Sequence, residues 1–187
     1  KHALVSNGPK ASPQYKPQPV SGYENLAKKA KITVKNVVGA EYLNDGLLTV
    51  SASVKEREYR SSGATEIPLT FDSPVKARSG KIYNSSSYDY AFTKADRIEF
   101  RFASPLTANG KEYKFGAIKN PAFPAEYADT EAGVITQGAA VIADFDEIEI
   151  TEIKIYLSEK YETTDKFGET LDDYGVAELV VLGRRGG

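Results

Sequence analysis

Hydrophobic and polar positions alternate with a period of two from residue 31 onward, which is the pattern of half-buried β-strands. Residues 97–102 give the cleanest example, because isoleucine and phenylalanine there alternate with arginine and glutamate. The alternation continues through 113–115 after an Asn-Gly pair at 109–110 that predicts a tight turn. Residues 176–182 are almost continuously apolar and predict a central strand.

Two segments carry irregularities within a strand pattern. Residues 67–71 alternate around Pro68, which places that strand at a sheet edge or beside a bulge. Isoleucines at 148–150 and the apolar residues at 153–157 fall on opposite parities. A β-bulge at 151–152 would bring both groups onto the core face.

The segment before residue 55 predicts one hairpin and one short helix. Residues 32–34 and 48–54 alternate on either side of the Asn-Asp-Gly run at 44–46, which favours a tight turn joining two strands. Ser21 to Glu24 has the spacing of a capping box, so a helix of about two turns is expected over 24–31.

The amino end differs from the rest of the chain. Residues 7–22 contain four prolines and almost no apolar side chains, so they are expected to run extended behind the apolar tag Ala3, Leu4 and Val5. We predict an all-β fold, a jelly-roll-like antiparallel β-sandwich with an extended N-terminal arm. The expected limits are an arm at 1–30, a sandwich at 31–183 and a flexible tail at 184–187.

Composition removes most catalytic chemistry. Cysteine, methionine and tryptophan are absent, and the single histidine is His2. Disulfides, cysteine-rich zinc sites and a Ser-His-Asp arrangement within a folded core are therefore excluded. With neither a phosphate loop nor a dinucleotide fingerprint in the sequence, we expect no enzyme. The start at Lys1 instead of a methionine fits a removed leader, and no apolar run approaches the length of a membrane span.

Charge is distributed unevenly behind a net value of −2. Residues 1–35 hold seven lysines and one acid, whereas residues 144–173 hold eleven acids and three lysines. Such opposed segments attract each other between copies of a chain or within one molecule, or simply keep both regions solvated. The dispersed lysines and the acidic pI argue against a nucleic-acid partner.

Clustered acids are the main candidates for a metal site. Calcium takes six to eight oxygen ligands, largely carboxylates and carbonyls, and loops at the end of a sandwich supply both. The alternatives are a solvated acidic face and a glycosidase carboxylate pair, although no particular pair stands out. The candidate calcium ligands are Asp144, Asp146, Glu147, Glu149, Asp165, Asp172 and Asp173.

A second candidate site lies between residues 83 and 90. Tyr83, Tyr88 and Tyr90 could form a polar aromatic platform for a sugar, and Asn84 begins an N-glycosylation sequon. A calcium-containing carbohydrate-binding β-sandwich module is therefore an alternative function.

The layout of the whole chain resembles extracellular filament subunits that assemble by donor-strand exchange. It is similar to the calcium-dependent tubule subunits, the cannulae, of hyperthermophilic archaea, and more distantly to archaeal bundling pili and bacterial TasA-type biofilm fibres. The resemblance implies a secreted structural homopolymer with calcium near subunit contacts. In such a polymer Ala3, Leu4 and Val5 would add a strand to the next subunit's sheet.

Overall fold

A computed structural model describes residues 20–34, 39–48, 59–62, 65–85, 90–127, 133, 138–160, 163–164, 167, 170–171 and 173–185. Ala3, Leu4 and Val5, the predicted donor segment, therefore lie outside the described residues. The described strands are β1 Glu24–Asn25, β2 Lys31–Ile32, β3 Tyr59–Ser62, β4 Thr65–Asn84, β5 Phe92–Lys94, β6 Arg97–Ala108, β7 Lys111–Lys119, β8 Ala140–Leu157, β9 Glu159–Lys160, β10 Thr163–Thr164, β11 Thr170–Leu171 and β12 Asp173–Arg185. The described part of the chain also contains 3₁₀ helices at Leu26–Lys29, Ala40–Tyr42 and Ala125–Tyr127.

The fold is all-β and antiparallel, as the alternation predicts. The main sheet has the order β1-β12-β4-β8-β6-β7, with β2 also paired to β4 and β3 to β12. Two small ribbons, β5 with β9 and β10 with β11, complete the described pairing. The turn at Asn109 and Gly110 has positive φ at both residues, the geometry of a tight hairpin turn. No helix in the described ranges is long and apolar enough to cross a membrane.

The two longest strands pass through both layers of the sandwich. Residues 65–70 of β4 and 150–157 of β8 form a first layer with β2, β6 and β7. Residues 75–84 of β4 and 140–149 of β8 form a second layer with β1, β3 and β12. Apolar side chains from both layers pack into one core cluster. Strands that switch layers in this way need local bends, and β-bulges provide them.

One bulge lies where the sequence predicts it. In the pairing with β6, the adjacent residues Arg101 and Phe102 lie opposite Glu152 and Ile150, so Thr151 is the extra residue of a bulge in β8. The pairing with β4 is interrupted at the same position, where residues 71–74 lie opposite Thr151. Buried isoleucines on both sides of Thr151 consequently reach the core.

A second interruption in β8 reverses an orientation expected from the sequence. Ala77 pairs with Ile148 and Ser79 with Asp144, so residues 145–147 lie opposite a single residue of β4. Because of this shift, Asp144 lies on the face of Ile142, away from the main core, although its parity matches that of Ile148. Asp144 therefore lies on the outer face of the second layer, and Asp146, Glu147 and Glu149 are exposed as well.

Strand β12 is buried on both faces, which explains its continuous apolar sequence. Val176, Leu179 and Val181 join the main core. On the opposite face Ala177, Val180 and Leu182 form a second cluster, which also contains Leu48, Tyr83 and Ala140. The prediction of a central last strand is confirmed, since β12 pairs with β4 on one side and with β1 and β3 on the other.

The predicted hairpin stays a prediction, because residues 49–54 lie outside the described part of the chain. The described strand β2 pairs with residues 69–70 of β4. The Asn44 amide nitrogen donates to the carbonyl oxygens of Ala27 (2.8 Å) and Ala30 (3.3 Å). Asn44 thus attaches its turn to a neighbouring 3₁₀ helix. Pro68 pairs with Lys154 of β8 but has no partner in β2, which pairs with Leu69 and Thr70, and the interruption after Thr70 lies close by. Both the edge and the bulge alternatives fit this position.

The ends of the sandwich extend farther than predicted. The helix is a four-residue 3₁₀ segment capped by Asn25, whose side chain accepts from the Ala27 backbone N–H, and not by the Ser21 capping box. Leu26 and Ala27 lie in the main core, so the body begins before residue 31. Strand β12 includes Arg184 and Arg185, so the predicted tail over 184–187 is too long.

Candidate binding site on the outer face of the second layer

A cavity of about 280 Å³ opens on the outer face of the second layer. Strands β4, β8 and β12 supply its floor, and the segment before β1 supplies a wall. The lining residues are Val20, Tyr23, Arg78, Ser79, Lys81, Ile142, Asp144 and Leu182. We call this feature the outer-face cavity. It combines an apolar wall with several polar groups, as ligand sites usually do.

Lys81 and Ser79 are the buried polar groups of the outer-face cavity. They are two positions apart on β4 and therefore project to the same side. Lys81 is 9% exposed and Ser79 is 2% exposed. Burial lowers the pKa of Lys81, and the nearby Asp144 carboxylate partly opposes that shift. The hydroxyl of Ser79 has no hydrogen-bond partner within the described part of the chain.

Two arginines stand around Tyr23 at the rim. The Arg78 guanidinium donates to the Tyr23 hydroxyl at 2.9 Å and lies 5.0 Å from the ring centroid. That hydrogen bond is the first cause of the raised pKa of Arg78. Arg184 lies 5.9 Å from the same centroid and donates to Glu147 at 2.6 Å and 3.1 Å. Tyr23 thus holds Arg78 at the rim of the outer-face cavity, while Arg184 is ion-paired with Glu147.

The predicted calcium ligands are only partly described. Asp144, Asp146, Glu147 and Glu149 lie exposed along β8, and they face outward. No group of three or more acids among the described residues converges to hold a metal ion. Asp165 and Asp172 lie outside the described residues, and only the backbone of Asp173 is described. The calcium site therefore stays a prediction.

The tyrosine platform does not form as predicted. Tyr83 is buried in the second cluster because it lies on β4 opposite β12, and Tyr90 is half-buried. Tyr88 lies outside the described ranges. Asn84 is 5% exposed, and its amide nitrogen donates to the Phe92 carbonyl oxygen at 2.9 Å. A glycan on that nitrogen would replace this buried bond, so the fold disfavours glycosylation at Asn84.

A polar network covers the outer face of the first layer. The Tyr156 hydroxyl contacts Glu66 at 2.6 Å and Glu99 at 3.2 Å, while Arg97 donates to Glu99 at 2.7 Å. The Arg97 guanidinium lies 3.6 Å from the Tyr156 ring centroid. Burial and the bond to Glu66 raise the pKa of Tyr156 to about 12. The hydrogen bond from Arg97 lowers the pKa of Glu99. These groups bind one another and connect β4, β8 and β6.

Of the residues that line the outer-face cavity, the sequence identified only Asp144 as a candidate, and as a calcium ligand. Tyr23 falls in the predicted arm, and Arg78, Ser79 and Lys81 fall in a stretch without a recognised motif.

Comparison with known proteins identifies the fold. No protein-family model matches the chain, and no curated protein does. The family 32 CBM of C. perfringens NanJ, solved in complex with galactose, has a TM-score of 0.54 at 13% identity, covering 86% of this chain and 98% of that one.

Two further solved structures are similar to this chain to about the same degree. A chitosan-binding module from a chitosanase/glucanase of Paenibacillus sp. IK-5 has a TM-score of 0.52 at 14% identity, with 86% of this chain and 99% of that one covered. An F5/8 type C domain from Bacteroides fragilis has a TM-score of 0.51 at 14% identity, covering 89% and 100%. At such low identity the likeness establishes the β-sandwich fold alone.

Proposed function

We propose that this protein is a non-catalytic carbohydrate-binding β-sandwich module. The observation that carries the proposal is the outer-face cavity, in which an apolar wall stands beside buried and partly buried polar groups. At about 280 Å³ the cavity is close to the lower end of the range for ligand pockets, roughly 300–1,000 Å³. That size suits one sugar ring better than a long ligand.

The chemistry of a sugar ring matches both sides of the outer-face cavity. Its C–H faces pack against apolar side chains, which Val20, Ile142 and Leu182 provide. Its hydroxyls both donate and accept hydrogen bonds. Asp144 can accept from them, and the Ser79 hydroxyl and Lys81 ammonium can donate.

The structural neighbours support the same class of ligand. Their titles describe a galactose complex and a chitosan-binding module. Another neighbour, at a TM-score of 0.50, is a C. perfringens module in complex with GalNAc-β-1,3-galactose. Binding of such glycans fits an extracellular, secreted location for this protein.

A glycan array followed by affinity gel electrophoresis tests the proposal. We expect retention by at least one glycan, and weaker retention for Asp144→Asn. Asp146→Asn is the matched control, since Asp146 is also an exposed acid of β8 but does not line the outer-face cavity. Failure of every glycan to retain the protein would refute the function, and equal effects of the two substitutions would refute the site.

Calcium binding remains part of the proposal through the acidic residues of 144–173. Calorimetric unfolding with calcium and with a chelator would test it. A melting temperature that rises with calcium supports a bound ion, whereas identical curves would mean that the acids are solvated.

A homopolymer that assembles by strand addition, of the cannula or TasA type, is the second candidate function. The observation in its favour is β7, which has one partner strand in the described sheet and so offers a free backbone edge. Exposed apolar side chains accompany that edge and its hairpin, with Phe115 at 55% exposure beside Leu106 and Tyr113. Such an edge can accept an arm containing Ala3, Leu4 and Val5 from a second copy.

Electron microscopy of the protein with calcium tests polymerisation. We expect filaments or tubules from the full chain and monomers after deletion of residues 1–10. A full chain that stays monomeric, or a truncated chain that still polymerises, would refute the donor-arm idea.

A further inference from the structure

We propose that the outer-face cavity selects a sugar that carries a carboxylate or sulfate group, with Lys81 and Arg78 as its cationic contacts. The inference rests on the proposed carbohydrate-binding function and names the class of sugar. Carboxylate and sulfate share the relevant chemistry, a negatively charged group of oxygen acceptors.

The first observation in favour of an anionic ligand is the environment of Lys81. Its side chain is buried, yet within the described residues no carboxylate lies within 4.0 Å of its ammonium nitrogen. Burial without a close ion pair disfavours the charged form, and the pKa of Lys81 is lowered accordingly. An anionic ligand group would supply the missing partner.

The second observation in favour of an anionic ligand is the buried hydroxyl of Ser79. Its buried hydroxyl finds no partner in the described part of the chain, although it lines the same cavity as Lys81. Buried hydroxyls are normally hydrogen-bonded, and one that is not requires an explanation. A ligand oxygen between Ser79 and Lys81 would accept from both groups.

The third observation in favour of an anionic ligand is the net charge of the residues that line the outer-face cavity. Arg78 and Lys81 line the outer-face cavity together with a single carboxylate, Asp144. Arg78 is already held in position by the Tyr23 hydroxyl, so little side-chain ordering remains to be done when a ligand binds. The excess of one positive charge favours an anionic sugar over a neutral one.

Titration calorimetry with matched ligands tests the inference. Trigalacturonate is compared with its methyl ester, and galactose 6-sulfate with galactose, so that each pair differs in charge. Because hydrogen bonds to charged groups are the stronger ones, we expect at least one anionic member to bind about tenfold more tightly than its neutral counterpart. A preference within the galacturonate pair would identify a carboxylate as the recognised group, and a preference within the galactose pair would identify a sulfate.

Substitutions then assign the preference to the cavity. Lys81→Met should abolish the preference, because it should weaken binding of the anionic member of a pair more than binding of its neutral counterpart. Lys76→Met, on the same strand but outside the cavity lining, should keep it. Ser79→Ala should weaken anionic binding while raising the melting temperature, because it removes a buried hydroxyl that has no partner in the described fold. If Lys81→Met fails to fold, Arg78→Gln tests the proposal instead, because Arg78 is exposed. An unchanged preference for the anionic ligand in Arg78→Gln would overturn the proposal.

The outcomes separate this inference from the proposed function. Equal binding within both ligand pairs would overturn the anionic preference and leave carbohydrate binding intact. A preference that survives in Lys81→Met would overturn the role of Lys81. Absence of binding to every glycan would overturn both.

Discussion

Removal of the Asn84 side chain should destabilise the protein measurably. The Asn84 amide nitrogen donates to the Phe92 carbonyl, and its oxygen accepts from the backbone N–H groups of Ser85 (2.8 Å) and Phe92 (3.0 Å). Asn84→Ala leaves these three backbone groups without that partner in a buried setting. A buried group that loses its partner costs about 1–3 kcal/mol, so the low end of the range gives a loss of about 3 kcal/mol.

Urea denaturation followed by circular dichroism would measure this loss as a change in the free energy of unfolding. In a thermal scan about 3 kcal/mol corresponds to a fall of roughly 6–12 °C in melting temperature for a chain of this size. Thr107→Ala on the exposed β6–β7 hairpin is the control and should change stability by less than about 0.5 kcal/mol. If Asn84→Ala were equally neutral, the reasoning that the Asn84 amide connects β4 to β5 would be refuted.

Three further predictions follow from packing, titration and burial. Gly183→Ala should lower stability by about 1–3 kcal/mol, because an added Cβ would overlap the Lys76 carbonyl oxygen, whereas Gly80→Ala meets only ordinary contacts and should be near neutral in the same denaturation assay. The folded state raises the pKa of Tyr156 from its ordinary value of 10.0 to about 12. The contribution of Tyr156 to stability is therefore complete below pH 10 and is lost as the pH rises towards 12. Tyr156→Phe should therefore show a shallower loss of stability between pH 10 and 12, and parallel curves would contradict the raised pKa. Intact mass after expression in a glycosylating host should show no glycan on the Asn84 sequon of the folded fraction, and a glycosylated, fully stable protein would contradict its burial.

The strands were predictable because their signal is local. A period of two identifies β6 and β7, and the opposed parities around residue 151 identify a bulge, since a half-buried strand must keep its apolar side chains on one face. The continuous apolar sequence of β12 likewise predicts burial on both sides.

Pairing partners and the candidate site depend on distant contacts and were not predictable. The pairing of β2 with residues 69–70 of β4 and the hydrogen bond from Asn44 to Ala27 both join segments that are far apart in the sequence. Lys81 becomes a buried cavity residue only because the segment around Tyr23 lies over the second layer. In the sequence it cannot be told from a lysine in solvent.

The irregularities of β8 limit prediction in another way. The acids at 144–149 form a cluster in sequence, but three residues at 145–147 lie opposite one residue of β4. The shift directs Asp144 to the outer-face cavity, while Glu147 pairs with Arg184. Although these acids are close in sequence, no three of the acids in the described residues come together in a way that could hold a metal ion.

The most direct test of the central claim is an NMR titration of the uniformly ¹⁵N-labelled protein with the glycan that binds most tightly. We expect the largest amide shift changes at Ser79, Lys81, Ile142 and Leu182, which form the floor of the outer-face cavity. We expect no change in the β6–β7 hairpin. Shift changes confined to other parts of the sandwich, with these four amides unmoved, would contradict the proposed site.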